Sequence, residues 1–325
     1  MAKKKHSKAK KKSSLFLYGV AGLIIVWLVI GFFIFLGKPS LQAAIFVSSE
    51  NPKQGDTVFV KITSKANNVV GSFGQQKLFF YKKPNTFEWV SFLGIDADQP
   101  TGDYKINVDT SGAEHFVKDV KVSLGNFSSA SIISAPKANQ NNISNTKAVV
   151  NIRKNDNPAL QKVLENITEQ PYFSQPFSFP LGKMKTSGLS FGKFIAFGRD
   201  KLQHLGVDLQ APKNSDIYAV NDGKVVATLN LSNYGKTVII DHGLDIFSMY
   251  LHLDEFKVTN GEIVKRGQLI GLSGDTGYVT APHLHFSMRV DGTRVDPIGF
   301  INTTQSLNGN SFTASVLDGF LKLFR

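Results

Sequence analysis

"APHLHFSMRV", residues 281–290, sets two histidines on either side of one leucine, in a run that otherwise reads as a β-strand. A strand sends alternate side chains to opposite faces, whereas a helix turns residues two apart by about 200°. On a strand, Leu284, Phe286, Met288 and Val290 make one apolar face, and His283, His285, Ser287 and Arg289 share the other. Both imidazoles then point the same way. The stretch is expected to be a strand with one buried side and one side equipped for chemistry.

Two further stretches answer the same test. In "HLGVDL" (204–209), Leu205, Val207 and Leu209 form an apolar face, leaving His204 and Asp208 together on the other, with Gly206 clearing space between them. In "FSMYLHLD" (247–254), Phe247, Met249, Leu251 and Leu253 alternate with Ser248, Tyr250, His252 and Asp254. Tyr250 is expected to share the face of His252 and to contact substrate or support the site. Of the seven histidines in the chain, four stand on these polar faces. An isolated strand histidine is usually satisfied by one hydrogen bond, but an alternating pair with His-x-x-x-Asp upstream favours a metal. Two neutral imidazoles and one carboxylate, with an open fourth position, form a common catalytic zinc arrangement. The same three groups also serve non-haem iron, so the residues alone leave both metals open.

The chain has 325 residues and no cysteine, which excludes disulfides, thiolate metal sites and a cysteine nucleophile. Any metal must be held by His, Asp or Glu. The formal charge is +12, and seven lysines fall within residues 1–14, leaving about +5 for the remainder. Such a cluster can mark nucleic-acid binding, but the segment after it argues for a membrane instead. Residues 15–36 ("LFLYGVAGLIIVWLVIGFFIFL") are an uncharged apolar run of 22, long enough to cross ~30 Å of hydrocarbon as a helix. Lysines ahead of it, with only Lys38 just beyond, place the N-terminus inside and the bulk of the chain outside. The run is longer than the core of a cleaved signal, which predicts a retained anchor.

Residues 40–125 read as short strands, among them "TVFVKITS", "FEWVSFLGI", "GDYKINVDT" and "HFVKDVKVS", separated by turn signals such as "PKQGD" and "QPTGD". This spacing predicts a small β-sandwich with no catalytic residues. Residues 126–170 are expected to be a Ser/Asn/Lys-rich linker ending in a short helix that Asn157 caps, with Pro158 at its first position. Residues 171–305 return to a glycine-rich β pattern, and 306–325 form a tail. The class is therefore mainly β.

The stretch "PKQGDTVFVKI…FLGIDADQPTGDYKINV" resembles the immunoglobulin-like domains placed before bacterial cell-wall hydrolase domains. Further on, "FGRDKLQHLGVDLQAP", "DIYAVNDGKVVA", "GKTVIIDHG", "MYLHLD", "GEIVKRGQLIGLSGDTG" and "APHLHFSMRVDGTRVDP" follow, in order, the lysostaphin-type zinc endopeptidases, peptidase family M23. The likeness covers about residues 180–300. It implies an antiparallel β-sheet fold, the duplicated hybrid motif. By the same likeness His204, Asp208 and His285 are the Zn2+ ligands, and His283 and His252 are catalytic histidines that bind no metal. His242 matches a position without a catalytic role and is read as structural. The substrate implied is a peptide of bacterial peptidoglycan.

These readings combine into a membrane-anchored zinc endopeptidase of the cell wall, with its catalytic domain outside the cytoplasmic membrane. The alternative is a latent enzyme held inactive by the linker or the helix at 157–169, or a non-enzymatic wall-binding regulator on the same fold; degenerate ligand positions would signal the regulator, and the filled ones oppose it. A lipoyl- or biotinyl-type carrier would need a modifiable hairpin lysine and no histidine set. An iron oxygenase more often shows His-x-Asp.

Overall fold

The computed structural model describes residues 41–127, 145–186, 190–197 and 200–307. The basic tail, the expected span at 15–36, most of the linker and the tail beyond 307 lie outside the described residues. Among the described residues no helix is long and apolar enough to cross a membrane.

The first eight strands are β1 (Ala44–Val47), β2 (Thr57–Thr63), β3 (Val69–Phe73), β4 (Gln76–Leu78), β5 (Tyr81–Lys82), β6 (Glu88–Gly94), β7 (Gly102–Thr110) and β8 (His115–Val122). They form two four-stranded antiparallel sheets, ordered β1-β2-β6-β5 and β4-β3-β7-β8. Between the sheets pack Val58, Val60, Ile62, Leu93, Ile106, Val108 and Val120. The alternation of "GDYKINVDT" is that of a sheet with one wet face, and Tyr104 to Val108 bury every second residue or nearly so.

β2 and β6 depart from that pattern because both of their faces are covered. Phe59, Val90 and Phe92, which point away from the sandwich core, pack into the main core of the C-terminal half beside Phe300, Ile301 and Val295. The Phe92 and Phe300 rings lie 5.7 Å apart. Arg294 reaches across to Asp96, with Nη2 2.6 Å from Oδ1 and Nε 3.1 Å from Oδ2. The sandwich and the C-terminal sheet thus fall within one compact unit, Ala43–Arg325.

The C-terminal half contains β9 (Phe194–Phe197), β10 (Asp200–Gln203), β11 (Val207–Leu209), β12 (Asp216–Tyr218), β13 (Gly223–Leu231), β14 (Gly235–Asp241), β15 (Ile246–Phe256), β16 (Ile263–Val264), β17 (Leu269–Ser273), β18 (Leu284–Val290) and β19 (Thr293–Val295). β9 and β10 make a hairpin, and the other nine form one sheet with the path β11-β18-β15-β14-β13-β16. One face packs Val207, Leu209, Val238, Ile240, Tyr250, Leu284, Phe286 and Met288 into the main core. Helix Pro297–Ser306 follows the sheet, and the Asp296 side chain caps it by accepting from the Ile298 N–H. The opposite face buries Ala227, Ile239, Phe247, Met249 and Leu251 under Leu160.

The helix expected to begin at Asn157 begins earlier. An α-helix covers Asn145–Asn151, a π turn Ile152–Asp156, and a second α-helix Asn157–Leu164. Asn157 is not its cap: its backbone is helical, its N–H donates to the Ile152 carbonyl, and its side chain accepts from the Tyr234 hydroxyl at 2.7 Å. The residues read as linker from 145 onward form this helix, because Leu160, Val163 and Leu164 find the apolar sheet face to cover.

Candidate metal centre

The three residues expected to bind a metal come from separate segments and meet through strand pairing. β11 runs antiparallel to β18 with Asp208 directly opposite His285. Directly opposite residues project from the same sheet face, so the carboxylate and the imidazole stand side by side. His204 precedes β11, and its backbone is held by the β9–β10 hairpin: its N–H donates to the Lys193 carbonyl and its own carbonyl accepts from the Gly192 N–H. Gly206 lets His204 and Asp208 close over His285. A Cβ there would collide with the His285 ring and sit 2.7 Å from the Phe286 carbonyl.

His204 Nε2 lies 3.0 Å from both Asp208 Oδ1 and His285 Nδ1, and His285 Nδ1 lies 2.9 Å from the same carboxylate oxygen. Among the described residues these three form the one group of at least three His, Asp or Glu able to hold a metal. A tetrahedral zinc site with ligands at about 2.0–2.1 Å has edges near 3.3 Å. The triangle fits such a cation after its corners open by a few tenths of an ångström. Proton placement agrees with this. His204 Nδ1 faces the Ser190 carbonyl at 3.2 Å, and a carbonyl can only accept, so the proton sits on Nδ1 and a lone pair faces the triad.

His283 and His252 flank the triangle. His283 Nε2 is 3.6 Å from Asp208 Oδ1, and the His252 ring lies 4.9 Å from that of His283 and 6.1 Å from that of His285. Each holds Nδ1 against a backbone carbonyl at 2.9 Å, Ala281 for His283 and Thr276 for His252. In the neutral form of each ring the proton then sits on Nδ1 and the lone pair on Nε2.

Burial raises the cost of charging Asp208, but the imidazoles of His204 and His285 close beside it outweigh that and hold its carboxyl well below the usual range. Burial also lowers the His285 pKa. For His252, burial and then the neighbouring His283 and His285 lower it to about 3. The centre sets one ionised carboxylate among imidazole nitrogens, a donor set with a net attraction for a divalent cation.

The face assignment for "FSMYLHLD" needs correction. His252 has a left-handed backbone, φ 62°, and the strand pairing shifts register on either side of it. This bulge rotates His252 out of the alternation and brings its ring to the face of His283 and His285. Tyr250 stays on the opposite face. It is fully buried against Phe286, accepts from the Val220 N–H at 3.0 Å and lies 3.0 Å from Ser248 Oγ. Tyr250 therefore has no path to substrate. The polar spacing showed only that Ser248 and Tyr250 need partners, and they find them in the core. His242 is likewise internal, 2.8 Å from the Asp222 carbonyl through Nδ1 and 2.8 Å from Ser248 Oγ through Nε2. His115 is exposed and paired with Asp109 at 2.7 Å.

Residues that the sequence reading passed over hold the centre in place. Ser190, Ala281 and Thr276 act through carbonyls, which no side-chain pattern reveals.

Residues 202–297 match Peptidase family M23. Over 93 residues the chain is 45% identical to peptidoglycan DD-endopeptidase ShyA of Vibrio cholerae, an alignment covering 29% of this chain and 22% of that protein. Over 139 residues it is 34% identical to glycyl-glycine endopeptidase ALE-1 of Staphylococcus capitis, covering 38% of each. The chain thus spans well under half the length of these curated relatives. A crystal structure of an M23 peptidase from Pseudomonas aeruginosa shares the fold, with TM-score 0.54 and 22% identity over 77% of this chain and 95% of that one.

Proposed function

We propose that this chain, whose residues 202–297 match Peptidase family M23, is a zinc metalloendopeptidase that hydrolyses peptide bonds of bacterial peptidoglycan. Residues 15–36 would anchor it in the cytoplasmic membrane, with the N-terminus inside and the catalytic sheet outside. The observation that carries the reading is the meeting of His204, Asp208 and His285 at 2.9–3.0 Å, with two lone-pair imidazoles beside them. The relatives named for peptidoglycan and glycyl-glycine cleavage support the substrate class.

His204, Asp208 and His285 would hold Zn2+, preferred over iron because all three fall within the segment that matches family M23; two imidazoles and a carboxylate suit either metal. Zinc, when bound, lowers the pKa of a ligated water and polarises the scissile carbonyl. The protein's own work is proton handling and orientation. His283 and His252 each present Nε2 as an acceptor toward the centre, so either can take the proton of an attacking water. The one that becomes protonated then has an N–H to donate to the developing oxyanion or the leaving amine. We assign proton uptake to His283, whose side chain is more exposed and which, once protonated, can donate to the oxyanion or the leaving amine; His252 would accept from the attacking water and orient it. The shared tautomer makes the roles exchangeable. Asp208 stays ionised and tempers the charge of the site.

The test is release of new amino groups from purified peptidoglycan by the full chain in detergent, with added zinc, with a chelator, and with His283→Ala. Zinc-dependent release abolished by both the chelator and His283→Ala, with zinc content unchanged in the variant, is the expected result. A zinc-loaded protein that releases nothing from any wall type would refute it in favour of a wall-binding regulator.

A further inference from the structure

The helix ahead of the sheet ends its π turn at Asp156, a carboxylate only 1% exposed. Its Oδ2 accepts two hydrogen bonds from one residue, Asn233, from the backbone N–H at 2.8 Å and from Nδ2 at 2.9 Å. Asn233 lies in the β13–β14 turn and is itself buried, with Oδ1 left without a partner. An amide pays for an orphaned oxygen only when its N–H groups are strongly held, and a charged acceptor does so. One residue on, the Tyr234 hydroxyl donates to Asn157 at 2.7 Å, so helix and turn are pinned at two adjacent points.

That turn carries His252. The His252 N–H donates to the Tyr234 carbonyl at 3.0 Å, and the Tyr278 N–H donates to the Asn233 carbonyl at 2.8 Å. Thr276 completes the frame: its carbonyl takes His252 Nδ1, while its hydroxyl accepts from the Lys236 N–H at 2.9 Å and donates to the Leu253 carbonyl at 2.7 Å. Gly235 and Gly277 let the two loops touch; a Cβ on Gly277 would sit 2.6 Å from the Gly235 nitrogen. A non-glycine residue at φ 62° is strained and persists only where its surroundings over-determine it. The surroundings of His252 are these two loops, and the helix clamps one of them. Single-turn π segments are frequent at functional sites, and here the π turn sets the register that aims Asp156 at Asn233.

We propose that Asp156, outside the segment matched to the peptidase family, is a positioning residue that holds His252 in its left-handed conformation through the 233–235 turn. The helix preceding the sheet is therefore part of the active-site scaffold rather than a spacer or a block. The catalytic consequence rests on the proposed peptidase function; the structural one does not.

The experiment uses the full chain with Asp156→Ala, Asp156→Asn and, as a control on the same helix, exposed Gln161→Ala. Two readouts are taken, the side-chain 15N resonances of 15N-labelled histidine and the kcat and KM for peptidoglycan cleavage per zinc-loaded molecule. In Asp156→Ala the His252 Nδ1–H is expected to lose its protection from exchange. kcat should fall roughly 10- to 100-fold, as for a misplaced catalytic group, with KM within about twofold and zinc content unchanged. Asp156→Asn, which keeps one acceptor for the Asn233 N–H, should lie between, and Gln161→Ala should match the parent. If Asp156→Ala does not fold, Asp156→Asn and Tyr234→Phe carry the test with smaller shifts of the same resonance. An unchanged His252 resonance overturns the proposal, whatever the melting temperature does. If the parent cleaves no wall, the functional reading fails while the resonance still decides the positioning role. If it cleaves and the variants match it, only the positioning role falls.

Discussion

Gly206→Ala probes how tightly the metal centre is built. Gly206 has an ordinary backbone conformation, so the substitution acts through the methyl group alone. That methyl would meet the Phe286 carbonyl at 2.7 Å and His285 Cε1 at 2.8 Å, and would overlap His285 Nε2. Ordinary contact begins near 3.4 Å, so about 0.7 Å of movement is required. The Phe286 carbonyl belongs to β18, paired on both sides by β11 and β15, and cannot yield that distance cheaply. The movement falls on the His285 ring or on the 204–208 segment, and either opens the triangle. Metal-ligand distances tolerate about ±0.2 Å, so the change is several times what the site can absorb. Loss of ligand placement is expected to weaken zinc about 10- to 100-fold, with an overpacking cost of about 1–3 kcal/mol. Zinc affinity would be measured by competition with a chromophoric chelator, and stability by urea unfolding of the metal-free protein. Gly182→Ala is the control, since nothing lies within 4 Å of its added methyl. A Gly206→Ala protein that folds and binds zinc as the parent does would refute the packing argument.

Other perturbations test the frame around the centre. His242 is buried and neutral, its pKa lowered by burial to about 4; the unfolded chain takes up the proton first, so this residue's contribution is intact above about pH 6.5 and is lost as pH falls toward 4. The loss is about 3 kcal/mol, and unfolding of His242→Gln from pH 7 to pH 4 should show a correspondingly flatter decline than the parent. Asp245 is raised to about 7, by burial and then by Asp241, so its charge opposes folding above that pH. Its backbone is left-handed, φ 54°, a conformation asparagine accepts well. Asp245→Asn should raise the melting temperature by roughly 2–4 °C at pH 8 and leave it unchanged at pH 4, and no gain at pH 8 would contradict the assignment. Arg294→Met strands Asp96, whose carboxyl the guanidinium holds at about 2 against the opposing effect of burial. A loss of about 2 kcal/mol is expected at pH 7, shrinking as pH falls below about 4, because the parent then loses the same interaction on protonation of Asp96.

Much of this protein can be read from its sequence, because a strand writes its two faces as alternate letters. "GDYKINVDT" gives β7 from end to end, and "HLHFSMRV" gives β18 and the common side of His283 and His285. Part of the signal for the docked sandwich was also present: Phe59 in "TVFVKIT" and Val90 and Phe92 in "EWVSFLG" are apolar on the face that an isolated sandwich would leave wet. What alternation cannot state is which strands meet and where the count slips. The pairing of Asp208 with His285 joins residues 77 positions apart. The bulge at His252 depends on loops at 233–235 and 274–278 that close around it, so the same eight letters send Tyr250 into the core and His252 to the face of His283 and His285. The role of Asp156 depends on where its helix lands. Local periodicity fixes which side a residue takes within one strand; register, bulges and docking are set by contacts between distant segments, and only the folded chain decides them.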